Sequence, residues 1–141
     1  MEKLVYVLWC PSGASSDDSS RELRSAAAGW SRLGARRVAV NVGDRFVEPA
    51  MAARLTRLDP PPAAVVSFWL EACDDRGPIE ADLARRTARL AGYLVVESVP
   101  LVNTTHTAAA GERTPGINMI ALIERPERIS YDRWIEHWHG H

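Results

Sequence analysis

Apolar positions along the chain switch between two periods, one suited to strands and one to helices. Residues 3–10 are almost unbroken in apolar character and predict a first strand. Residues 11–20 are polar and serine-rich and predict a loop. Leu23, Ala27 and Trp30 then share one face of a helix over residues 19–33, with Gly34 as its stop. Val38, Val40 and Val42 alternate with Ala39 and Asn41 in a strand over residues 37–42, and Gly43, Asp44 and Arg45 turn the chain. Met51, Leu55 and Leu58 suggest a short extra helix over residues 49–58, ended by the prolines at 60–62. Residues 63–72 carry Val65, Val66, Phe68 and Trp69 and predict a third strand. Pro78 suits the first turn of a helix over residues 79–91, with Ile79, Leu83 and Leu90 inward, an Asp82–Arg86 pair, and Gly92 as its stop. A fourth strand over residues 93–102 is interrupted by Pro100, which points to an edge or a bulge.

Residues 104–116 are polar and alanine-rich and read as a linker. Beyond it, residues 117–124 are apolar on both faces in their middle, as in a strand covered on two sides. Arg125, Pro126, Glu127 and Arg128 break that run. Ser130 suits an N-cap, and Asp132 in the first turn favours the helix dipole. Tyr131, Trp134, Ile135 and Trp138 follow at helical spacing and form one aromatic face.

The order is β-α-β-(short α)-β-α-β, a linker, then β-α. The expected class is α+β. Residues 1–103 make a ferredoxin-like βαββαβ sandwich, residues 104–116 a linker, and residues 117–141 the first β-α of a second ferredoxin-like unit. Four antiparallel strands bury one face under two helices. The first and third strands are apolar on both sides, so the opposite face also requires a cover, which a second sheet would supply.

Length and charge narrow the function. The chain has 141 residues and a net charge of −1, with no basic stripe along any helix, so nucleic-acid binding has no electrostatic support. No run has the length of a transmembrane helix. The first apolar run is too short for a signal peptide, and Glu2 lies on its flank; a cytoplasmic protein with no membrane partner is the expectation. Cys10 and Cys73 lie far apart in apolar runs and read as reduced, buried thiols. Phosphate loops, dinucleotide fingerprints, nucleophile elbows and cysteine-metal spacings are all missing.

With these elements in place, residues 117–141 resemble the opening of EthD-type domains of the dimeric α/β-barrel superfamily. Typical members pass from an apolar strand through a basic-proline turn into a helix begun by Ser or Thr. A tryptophan-bearing helix and then a histidine follow. Glu124, Arg125, Pro126, Ser130, Trp134, His137 and Trp138 fit that pattern. The family histidine would fall four residues after Trp138, one beyond His141, and the family proline is missing. The resemblance implies a barrel of two halves, formed within one longer chain or by a homodimer. It leads us to expect an N-terminal portion of a protein about twice this length.

The resemblance also implies cofactor-free chemistry on a small cyclic or apolar organic molecule. A helix-borne imidazole would move a proton in an isomerase, dehydratase, cyclase or monooxygenase type of reaction. His141 is nearest the family position and His139 is the alternative. Tyr131, Trp134 and Trp138 would line the substrate cleft, or pack on the sheet as most such stripes do. His137 and His141 share a helical face, yet a zinc site needs a third ligand, so no metal is expected. The rival reading is a non-catalytic ligand-binding or assembly module that uses the barrel face only for pairing, with the histidines at a solvated helix end.

Overall fold

The computed structural model describes residues 1–140. Four strands, β1 (Glu2–Trp9), β2 (Arg36–Val42), β3 (Ala64–Leu70) and β4 (Arg89–Val95), form one sheet in the order β2-β3-β1-β4. Each neighbouring pair is antiparallel. Helix α1 (Ser16–Arg32) joins β1 to β2, and α2 (Gly77–Arg86) joins β3 to β4. Helix α3 (Tyr131–His139) lies at the far end of the chain. The molecule is thus α+β with a four-stranded antiparallel sheet, an arrangement compatible with a ferredoxin-like sandwich. Among the described residues, no helix is long and apolar enough to cross a membrane.

Strand alternation sorts the sheet into two faces. Leu4, Tyr6 and Leu8 of β1 join Ala64, Val66, Phe68 and Leu70 of β3 in the core, with Leu23 and Trp30 of α1 and Ile79 and Leu83 of α2. The Tyr6 and Phe68 rings stack at 5.6 Å between centroids. The opposite face carries Val5, Val7, Trp9, Val65, Ser67, Trp69, Ala91, Tyr93 and Val95, in the register of the β1–β3 and β1–β4 pairs, with Lys3 at its end beside Trp69 and paired with Glu97. Its cover is partial. The Trp9 indole donates to the Pro60 carbonyl at 3.0 Å, and the Arg89 guanidinium sits 3.7 Å from that ring. Farther along, Val5, Val65, Trp69 and Val95 are half-buried and Tyr93 is exposed.

Several element boundaries differ from the sequence expectation, each for a definable reason. Helix α2 ends at Arg86 and not at residue 91, because Thr87 is already extended at φ −129°, ψ 151°. Leu90 reaches the core from a strand, and Gly92 pairs with Tyr6 across the β1–β4 ladder. The fourth strand stops at Val95, short of the expected residue 102. Val95 lies opposite Lys3, the last pair of the β1–β4 ladder.

The expected helix over residues 49–58 is a single 3-10 segment, Glu48–Ala53. Its intended apolar face, Met51, Leu55 and Leu58, is exposed. A short helix without a packed face gains too little to offset its nucleation cost. Residues 117–124, expected as a strand, have no assigned sheet pairing. A strand is stable only beside a neighbour, and Ile117, Met119, Leu122 and Ile123 remain exposed.

On β2 the register with β3 shifts between Arg36 and Ala39. Arg37 sits at φ 51°, in the left-handed region that arginine seldom adopts. Both features mark a bulge at the start of this edge strand.

Candidate functional site

Helix α3 carries the residues that the sequence pattern singled out. The Ser130 side chain accepts from the Arg133 amide at 3.4 Å and caps the helix, as its position predicts. Tyr131, Trp134 and Trp138 line up along one side. Tyr131 and Trp134 have centroids 6.5 Å apart, and Trp134 and Trp138 stack at 6.1 Å. Trp134 and Ile135 are half-buried, whereas Tyr131 and Trp138 are exposed. His137 and His139 are also exposed, in the last turn, where a protonated imidazole is favourable against the helix dipole. His141 lies outside the described residues. The structure therefore brings the aromatic stripe and two of the histidines onto one short helix.

Two concavities lie elsewhere. One, of about 100 Å³, sits where β1 meets α1 and is lined by Cys10, Ser16, Ser19, Ser20, Leu23 and Gly43 among others. The second is a shallow groove of about 350 Å³ between α1 and α2, floored by Trp30 and Leu33 and edged by Arg32, Arg85 and Arg86. No residue of α3 lines either of them.

The polar interactions inside the sandwich hold its helices in place. The Trp30 indole donates to Asp82 at 2.8 Å. Arg86 pairs with the same carboxylate at 3.0 Å and with Glu22 of α1 at 2.9 Å. Arg85 adds a third donor to Asp82 at 2.7 Å. The Arg86 hydrogen bond, reinforced by Trp30, holds the Asp82 carboxyl below the ordinary aspartate range. The i,i+4 pair foreseen in the sequence is thus one edge of a network that ties α2 to α1.

Tyr6, under α2, donates to Glu80 at 3.3 Å. Burial, with Glu80 adding its charge, pushes the Tyr6 hydroxyl up to about 12. The two cysteines are free and half-buried. The Glu2 carboxylate accepts from the Cys73 amide at 2.5 Å, and its hydrogen bonding and charge beside the thiol push the Cys73 pKa up, away from the thiolate that nucleophilic chemistry requires.

One polar centre escaped the sequence reading. Asp44, expected as a turn residue, is 5% exposed. It accepts from the Ser20 hydroxyl and the Phe46 amide, each at 3.2 Å, and from the Arg113 guanidinium. Ser20 and Asp44 are 24 residues apart and Arg113 is 69 residues beyond Asp44, so no local spacing signals the cluster. The one available hint is Ser20 itself, three positions before Leu23 on the buried face of α1.

Compared with protein-family models and with curated proteins, the chain matches none of either.

Proposed function

We propose that residues 1–103 form one ferredoxin-like unit of a two-unit α/β barrel, and that residues 117–141 open an EthD-like second unit. The barrel acts on a small cyclic or apolar organic molecule, without a cofactor, and an imidazole borne on α3 moves the proton. The observation that carries this reading is the half-open apolar sheet face of Val5, Val65, Trp69, Tyr93 and Val95. Such a face is stable when a second sheet packs on it about 10 Å away. The exposed apolar side chains of residues 117–123 and the exposed aromatics of α3 suit elements that pack within a second unit. A cleft beside α3 would be lined by Tyr131, Trp134 and Trp138, with His139 and His141 at its rim.

The test is turnover of a panel of small lactones and polycyclic phenols by the protein and by its His139→Ala and His141→Ala variants. A general acid or base contributes about 10²–10⁴ in rate, so loss of that order in one variant, with an unchanged circular dichroism spectrum, is expected. Unchanged turnover in both variants would sink the catalytic reading.

A second reading, a non-catalytic ligand-binding or assembly module, is favoured by one observation: neither concavity is lined by α3. In that case pairing is the whole function. Tyr93→Glu, which places a charge on the open face, would then disperse the assembly in light scattering, while the histidine substitutions change nothing that can be measured.

A further inference from the structure

Residues 104–116 have the composition of a free linker, yet specific contacts fasten them to the sandwich. The Arg113 guanidinium donates to the buried Asp44 carboxylate and lies 4.6 Å from the centroid of the Phe46 ring. Arg24 of α1 donates to the Gly111 carbonyl at 3.4 Å. The Glu112 amide closes a turn onto the Ala109 carbonyl at 3.0 Å. Just past the linker, the Asn118 amide donates to the Asn41 side chain of β2 at 2.7 Å.

The energetic argument turns on Asp44. Its side chain is 4% exposed. A carboxylate taken out of water at such a position is costly unless a cation compensates it. Ser20 and the Phe46 amide satisfy its lone pairs but bring no charge. The compensating charge comes from Arg113, which is itself partly exposed and also covers the face of an aromatic ring.

We propose that Asp44, Phe46 and Arg113 form a latch that holds residues 109–118 against the corner between α1 and β2. The chain that follows, including α3, then leaves the sandwich from a fixed place beside β2. This latch does not depend on the chemistry proposed above and would serve a catalytic or a pairing module equally.

Glu112 lies inside the latched segment, so a glutamate-specific protease reads the latch directly. Asp44→Asn removes the charge, keeps an acceptor for Ser20, and leaves the cleavage sequence untouched. Phe46→Leu removes the ring without touching the buried carboxylate. Cleavage after Glu112 should accelerate relative to cleavage after Glu80 of α2, about tenfold or more in Asp44→Asn and about two- to fivefold in Phe46→Leu, because the segment opens locally. A ratio unchanged in both variants overturns the latch. So does equal acceleration at both sites, since that means the substitution loosens the whole sandwich. Phe46→Leu keeps the test decisive if Asp44→Asn impairs folding.

Discussion

Gly92 shows how a single missing carbon sets the packing of the sheet. It pairs with Tyr6 across the β1–β4 ladder, and a Cβ there would lie 2.6 Å from the Tyr6 ring. Tyr6 is fully buried and stacked on Phe68, so it has no room to retreat. Gly92→Ala is expected to cost about 1–3 kcal/mol through overpacking, read as a lower denaturant midpoint at an unchanged slope. Asp82 gives a second residue-scale expectation. Its folded pKa is depressed, so its contribution is present above the unfolded aspartate value and is lost as pH falls through the folded value. Asp82→Asn should therefore flatten the acid side of the stability profile, measured by urea unfolding between neutral pH and strongly acidic solution. An equally steep acid limb in the variant would count against the Arg86 and Trp30 network. The sequence made Asp82 and Arg86 legible because four positions along a helix are adjacent in space. It left Asp44 illegible because the side chains that partner it, Ser20 and Arg113, are distant in sequence.

At the scale of elements, the strands and helices that reach the core were readable; of those that do not, α3 was readable from its cap and aromatic face and two others were misread. Leu23 and Trp30 on α1, and Ile79 and Leu83 on α2, are buried as their spacing predicts. The 3-10 segment and residues 117–124 have the right pattern and no packing partner, and pattern alone does not stabilise either one. Helix α3 has no fully buried residue. Its persistence depends on its cap and on its own aromatic contacts more than on the sandwich. Ser130→Ala should cost about 1 kcal/mol, felt in α3 alone. Amide exchange would accelerate at Arg133 and Trp134 while the midpoint of global unfolding stays where it was. A lowered global midpoint would show that α3 is part of the main cooperative unit.

For the molecule as a whole, the α+β class and the four-stranded antiparallel sheet were legible from element order, because hydrophobic period and short connections leave few ways to close such a chain. The candidate site was legible only as a helix. His137 and His139 are on α3 as expected, yet the sequence carries no information on what would pack over them. The same holds for the open sheet face, whose apolar character is readable and whose cover is not. On the proposed reading assembly and chemistry would be joined at this scale: a partner sheet closing the face of Trp69 and Tyr93 would also decide whether α3 borders a cleft.

Strand β1 lies inside the sheet, with β3 on one side and β4 on the other. It precedes both of its neighbours in the chain, so it leaves the ribosome before either of them. Leu4 waits for Phe68 on one side and for Leu94 on the other. Contacts of such sequence separation slow folding, since loop closure must precede any reward. The nascent chain thus presents a β1 with no partner until residue 70 has emerged, and with one open edge until residue 95 has. An apolar strand with an unpaired edge is open to aggregation over that interval.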